Sequence, residues 1–103
     1  MRPTADRSDV LVCYDVDTTT KAGRRRLRRV GKLCKNYGQR VQYSVFSCAV
    51  TAEQREALEA GLRDLIDETT DCLHLYTLPG GREACLTRYG VSQYTDFDEP
   101  LIL

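Results

Sequence analysis

The stretch Val10-Leu-Val-Cys-Tyr-Asp-Val-Asp17 begins as an apolar run and ends with two carboxylates two residues apart. A short apolar run of this kind predicts a central strand over residues 10–14, buried on both faces. Aspartate is common where a strand ends and the next helix is capped, so Asp15 and Asp17 are each consistent with a turn or cap residue. The residues alone favour that interpretation for both.

A metal ligand is the alternative for Asp15. One carboxylate is a poor Mg²⁺ site, because Mg²⁺ usually keeps several waters and takes one or two carboxylates together with phosphate oxygens. A second copy of Asp15, supplied across a two-fold axis, would remove that shortage.

The next segment predicts a helix that starts at the three threonines of residues 18–20, whose hydroxyls can cap it, and runs to about Tyr37. Gly38 is expected to stop it in a left-handed conformation. The apolar residues at helical spacing, which share one face, are Leu27, Val30, Cys34 and Tyr37.

This helix lies in a basic segment. Between Thr18 and Ala52 the chain has no acidic residue but nine cations, although the whole chain of 103 residues has a formal net charge of zero. The cations are Lys21, Arg24, Arg25, Arg26, Arg28, Arg29, Lys32, Lys35 and Arg40. Like charges without i, i+4 partners repel, so the segment predicts a surface that binds phosphates by backbone and shape, without base readout. A solvated basic face is the alternative.

The rest of the chain alternates between strand and helix patterns. Residues 40–50 alternate as a strand, and residues 51–54 form a capping box for a second amphipathic helix. Residues 71–78 predict a third strand and residues 84–89 a fourth, separated by a Pro-Gly-Gly turn. The apolar residues of the second helix are Leu58, Leu62, Leu65 and Ile66.

The five cysteines occur without any CxxC pair and beside a single histidine, which makes a structural zinc site improbable. We expect all five to be small buried hydrophobes in a reducing, cytoplasmic setting. His74 alternates with Cys72 and Tyr76 in a strand and is expected to be structural, which leaves no histidine as a general base. No signal peptide or membrane-spanning run is visible, and no membrane partner is expected.

Three motifs together resemble the CRISPR-associated protein two family, the small nuclease-like partner of the CRISPR spacer integrase. They are the strand that ends in Tyr14-Asp15-Val16-Asp17, the arginine-rich helix that ends in Tyr37-Gly38, and Arg40-Val-Gln-Tyr-Ser-Val-Phe46. The resemblance covers nearly the whole chain from Val10 to Leu103.

The resemblance implies an α+β fold, a ferredoxin-like βαββαβ sandwich with an antiparallel sheet and two helices on one face. It also implies a homodimer in which an extra C-terminal strand is exchanged. The chain would then divide into a flexible extension (1–9), the ferredoxin-like domain (10–90) and a tail that packs on the partner (91–103). The implied hairpin conflicts with the unbroken strand pattern of residues 40–50, so either the chain bends at Ser44 or Ser47 or the strand count is off by one.

For activity, the resemblance implies a metal-dependent endonuclease acting on RNA or double-stranded DNA during spacer acquisition. Asp15 of both subunits would be the catalytic metal ligand, with Mg²⁺ or another divalent cation such as Mn²⁺ as cofactor and CRISPR integrase dimers as partners. Tyr14, Asp17 and Phe46 would be auxiliary. The phosphate-binding residues would come from Arg24, Arg25, Arg26, Arg28, Arg29, Lys32 and Arg40.

Two rival functions remain. One is a dimeric scaffold without catalysis, which clamps duplex DNA between integrase dimers and for which Asp15 is dispensable. The other is a free-standing, toxin-like ribonuclease of related fold.

Overall fold

The computed structural model describes residues 7–90, which form one four-stranded antiparallel sheet in the order β2-β3-β1-β4. Along the chain the elements follow the pattern βαββαβ, and a short helix comes last. Their bounds are β1 Ser8–Asp15, α1 Lys21–Lys35, β2 Gly38–Gln42, β3 Val45–Val50, α2 Ala52–Leu65, β4 Cys72–Leu78 and α3 Arg82–Cys85. This is the ferredoxin-like architecture that the family resemblance implies, and that prediction is confirmed.

The core lies between one face of the sheet and the two long helices, α1 and α2. Alternate residues of β1 point into it, and Val10, Val12 and Tyr14 are buried there. The helices add buried side chains at helical spacing, which are Val30 and Cys34 from α1 and Leu58 and Leu62 from α2. Neither α1 nor α2 packs on the opposite face of the sheet, which we call the open face and which carries Leu11, Cys13, Asp15, Val45, Cys72, His74 and Tyr76.

Both predicted helix starts are confirmed. The Thr20 hydroxyl accepts a hydrogen bond from the backbone N–H of Gly23 (3.0 Å) and caps α1. Thr51 and Gln54 form a reciprocal capping box at the start of α2, with bonds of 2.9 and 3.1 Å.

The segment of residues 40–50 is a hairpin rather than one strand. β2 and β3 are joined at Tyr43 and Ser44, so the bend lies at Ser44. The pairing register shifts between Arg40 and Gln42, which breaks the alternation that the sequence shows. A backbone bond from Tyr14 N–H to Ser44 carbonyl (3.0 Å) holds this turn against β1.

Two further predictions are wrong. Gly38 does not stop α1, which ends at Lys35; it begins β2, where a Cβ would collide with the Ser47 carbonyl and the backbone of Cys48. Residues 84–89 do not form a strand. The Asp9 carboxylate accepts a bond of 2.6 Å from Arg82 N–H, and the chain makes the short helix α3 there.

The cysteine prediction holds in part. Cys34 and Cys48 are buried, Cys13 is half-buried, and Cys72 and Cys85 are exposed. Cys72 is exposed because it lies on the open face, and Cys85 because it lies in α3 at the surface. Burial raises the pKa of Cys34 to about 12 and that of Cys48 to about 11, so both thiols stay neutral.

Within residues 7–90 no helix is long and apolar enough to cross a membrane. The predicted C-terminal tail (91–103) and most of the predicted N-terminal extension (1–9) lie outside the described residues.

Candidate metal and nucleic-acid site

Three connections of the chain converge where β1 ends. β1 is antiparallel to both neighbours, so the β2–β3 turn and the start of β4 lie at this end of the sheet. The β1–α1 loop, residues 16–20, leaves from the same place, and the α2–β4 loop, residues 66–71, arrives there. Asp15 and Asp17 therefore lie where several loops meet.

Asp15 is the last residue of β1 and lies exposed on the open face, directly opposite Cys72 of β4. Within the described residues no hydrogen bond or ion pair engages its carboxylate. A carboxylate that the fold leaves unpaired at the surface is available to a cation or a partner molecule.

Asp17 is committed to a local turn, as its sequence position predicts. Its Oδ1 accepts bonds from the backbone N–H (2.9 Å) and the hydroxyl (2.8 Å) of Thr19. These bonds lower the pKa of the Asp17 carboxyl, which makes it a weak proton acceptor. Asp67 repeats this turn in the α2–β4 loop, where its Oδ1 accepts bonds from the N–H and the hydroxyl of Thr69.

Asp71 is a functional candidate that sequence reasoning missed. Its side chain has no exposed surface, and it accepts the Asp17 N–H and the Asp67 N–H, each at 2.9 Å. Arg26 Nε donates to it at 3.0 Å, and the Thr70 hydroxyl also donates at 3.0 Å. Burial alone would raise the pKa of the Asp71 carboxyl, but the hydrogen bonds outweigh it and lower the pKa to about 2.

The structure divides the predicted phosphate-binding residues. Arg24, Arg25, Arg28, Arg29 and Lys32 are exposed on α1, along a helix of about 22 Å. No acidic residue of α1 balances them.

Arg26 and Arg40 are placed differently from those five. Arg26 is turned toward Asp71 and keeps only 22% of its side chain exposed. The Arg40 guanidinium lies 5.0 Å from the centre of the Phe46 ring, and its Nη1 donates to the Tyr43 carbonyl (3.2 Å).

Tyr14 and Phe46 belong to the core. Both side chains are buried, and their rings stack with centres 6.3 Å apart. Burial raises the pKa of Tyr14 to about 12, so the phenol remains protonated. Because both rings are covered, neither can stack on a nucleic-acid base in this conformation.

His74 lies nearer to Asp15 than the sequence predicts. It pairs directly with Cys13, two residues before Asp15, and is exposed on the same open face. Its ring meets Tyr76 edge-on, with 6.1 Å between ring centres and 3.5 Å from Nδ1 to the Tyr76 hydroxyl. No local pattern could have shown this, because the strand register sets it.

The described part of one copy offers too few grouped ligands for a metal ion. In residues 7–90 no three histidine, cysteine, aspartate or glutamate side chains are grouped so that they could hold one. Both oxygens of Asp71 and the Oδ1 of Asp17 accept hydrogen bonds, whereas the Asp15 carboxylate accepts none within the described residues. One carboxylate alone is a poor Mg²⁺ site, and a second copy of the chain would supply another. Mg²⁺ usually takes one or two carboxylates and fills its remaining positions with water or phosphate oxygens.

Comparison with known proteins identifies the family. The family model for CRISPR associated protein Cas2 matches residues 8–84, from the start of β1 into α3. The chain belongs to the Cas2 family. The resemblance drawn from the sequence is confirmed.

Curated Cas2 relatives match nearly the whole chain. The CRISPR-associated endoribonuclease Cas2 1 of Moorella thermoacetica is 47% identical over 94 residues, which is 91% of this chain and 98% of the relative. The CRISPR-associated endonuclease Cas2 of Halalkalibacterium halodurans is 44% identical over 93 residues, or 90% and 97% of the two chains.

The fold also matches a solved Cas2 structure. The crystal structure of Streptococcus pyogenes Cas2 at pH 6.5 superposes with a TM-score of 0.72 at 48% identity, covering 80% of this chain and 99% of that one.

Proposed function

We propose that this Cas2 chain is a metal-dependent endonuclease that works as a homodimer in CRISPR spacer acquisition, with Asp15 of both subunits holding Mg²⁺ or Mn²⁺. The observation that carries the proposal is Asp15 itself. It lies exposed at the end of β1 without a partner in the described residues, while its neighbours Asp17 and Asp71 are committed to hydrogen bonds. Relatives are named endoribonuclease or endonuclease, which supports phosphodiester hydrolysis as the reaction.

The open face supports pairing with a second copy. It presents Leu11 and Val45, partly exposed, and Tyr76, which is 51% exposed. Two such faces in contact would bury apolar surface and bring two copies of Asp15 to one interface. β4 is an edge strand of the described sheet, which leaves it free to pair with the C-terminal segment of a partner.

The exposed cations of α1 would bind the substrate backbone. Arginine suits phosphate oxygens because its planar fork donates two parallel hydrogen bonds. When bound, Mg²⁺ lowers the pKa of a water and offsets charge on the phosphate under attack. Asp17 is a poor base for that proton because its carboxyl already accepts two hydrogen bonds from Thr19.

The test compares the wild-type protein with Asp15→Ala and Asp15→Asn on RNA and on duplex DNA. We expect cleavage with Mg²⁺, none with EDTA, and none by either variant. Asp64→Asn is the matched control, because it removes an exposed carboxylate at the end of α2 and should leave cleavage intact. Equal cleavage by Asp15→Ala and wild type would overturn the catalytic assignment.

A non-catalytic scaffold is the second candidate, and the acid-free basic surface of α1 favours it. In that case Arg25→Glu with Arg28→Glu abolishes spacer integration in an adaptation assay with the integrase, and Asp15→Ala leaves it unchanged. Loss of integration with Asp15→Ala at normal DNA affinity would instead support the endonuclease.

A further inference from the structure

The Asp71 carboxylate links three separate segments around the end of β1. Asp71 Oδ1 accepts the Asp17 N–H of the β1–α1 loop, and Oδ2 accepts the Asp67 N–H of the α2–β4 loop. Arg26, from the second turn of α1, donates to both oxygens, at 3.0 Å from Nε and 3.5 Å from Nη2. The three segments are therefore fastened to one buried group.

The two loops present the same backbone motif to this carboxylate. Asp17 and Asp67 each close an Asp-x-Thr turn on the threonine two residues later. Each turn directs the N–H of its own aspartate toward Asp71. Asparagine in place of Asp71 keeps one acceptor oxygen, and its NH2 group can only donate, so one of the two turns loses its acceptor.

The arrangement constrains Asp15 from two directions. Asp17 lies two residues after Asp15, and Cys72, the residue after Asp71, is paired directly opposite Asp15 in the sheet. Within the described residues no hydrogen bond joins Asp71 to Asp15, and the Asp71 side chain has no exposed surface with which to meet substrate.

We infer that Asp71 and Arg26 are positioning residues, which hold the Asp15 backbone so that its carboxylate is pre-aligned for a divalent cation. The inference rests on the proposed function of Asp15. It also moves Arg26 out of the phosphate-binding set, because its guanidinium is occupied by Asp71. Mutation of a group that orients a metal ligand typically lowers metal affinity or activity by about 10- to 100-fold.

The experiment uses Asp71→Asn and Arg26→Gln, with Glu68→Gln and Arg25→Gln as matched controls. Glu68 is an exposed carboxylate in the same loop as Asp71, and Arg25 is the exposed neighbour of Arg26. Two readouts are measured by NMR on the full chain: exchange of the Asp17 and Asp67 amides, and the Mg²⁺ concentration that half-saturates the shift of the Asp15 carboxyl resonance. Cleavage of RNA gives kcat and KM as a third readout.

For Asp71→Asn we expect faster exchange of at least one of the two amides, a rise of about tenfold or more in half-saturating Mg²⁺, and a similar fall in kcat at unchanged KM. Arg26→Gln should act in the same direction and less strongly, since the two backbone bonds remain. Arg25→Gln should raise KM alone, and Glu68→Gln should change none of the readouts. If Asp71→Asn does not fold, the same readouts of Arg26→Gln test the inference.

The possible failures are distinguishable. If Mg²⁺ moves the Asp15 resonance equally in the wild type and in the folded variants, the positioning inference is overturned and the proposed function stands. If Mg²⁺ leaves the wild-type Asp15 resonance unmoved, the proposed function fails and the inference fails with it. A rise in KM without a change in kcat for Arg26→Gln would return Arg26 to the phosphate-binding set.

Discussion

Replacing Asp71 by asparagine should destabilise the protein by an amount that depends on pH. The native environment lowers the pKa of this carboxyl from 3.8 to about 2. Each pKa unit corresponds to about 1.4 kcal/mol, so we expect the charge on Asp71 to contribute roughly 2 kcal/mol to the free energy of unfolding at neutral pH. The side chain has no exposed surface, so solvent screens this contribution little.

The contribution must disappear in acid. Because the folded pKa is the lower one, the stabilisation is fully present above about pH 5 and is lost as the pH falls through 3.8 toward about 2. Urea unfolding curves of wild type and Asp71→Asn at a series of pH values measure the difference directly, and titrations that both proteins share cancel in that difference.

The expected result is a gap of roughly 2 kcal/mol at neutral pH that closes toward about pH 2, while Glu68→Gln follows the wild type throughout. A gap of equal size at neutral pH and in acid would refute the reasoning. It would mean that shape or packing, and not the negative charge, is what Asp71 supplies.

Three other substitutions test the fold. Thr51→Ala removes the capping hydroxyl of α2 and should cost about 1 kcal/mol in urea unfolding; no loss would show that the capping box is dispensable. Gly23→Ala should destabilise, despite the higher helix propensity of alanine, because the new Cβ would collide with the Asp17 carbonyl; a gain in stability would contradict this. Phe46→Ala empties the core beside Tyr14 and should cost about 3–5 kcal/mol, read as a lower melting temperature.

Much of the fold could be predicted because its signals are local. Each of these signals depends on residues that are close together in the chain. They are the Thr20 and Thr51 caps, the buried face of α1 and the central strand. The hairpin at Ser44 was visible only through the family resemblance, since residues 40–50 hold no glycine, proline, asparagine or aspartate.

The errors occurred where distant parts of the chain determine the outcome. Gly38 looked like a helix stop, but it is needed where β2 passes close to the Ser47 carbonyl. The predicted strand of residues 84–89 gave way to a helical turn capped by Asp9, which is 73 residues from Arg82.

The candidate site shows the same division. Asp15 stood out because two carboxylates end an apolar strand. Asp71 did not, because its partners Asp17 and Arg26 lie 54 and 45 residues away in the chain. His74 lies on the open face with Asp15 because of the register between β1 and β4, which the local sequence does not reveal.

The distance between Asp71 and its partners also has a consequence for synthesis on the ribosome. β1 and α1 emerge first, so the basic helix can form while Arg26 still lacks its carboxylate partner. Contacts across so long a loop form late because closing the loop costs chain entropy. A nascent chain would therefore expose the basic helix α1 before the end of β1 is fastened.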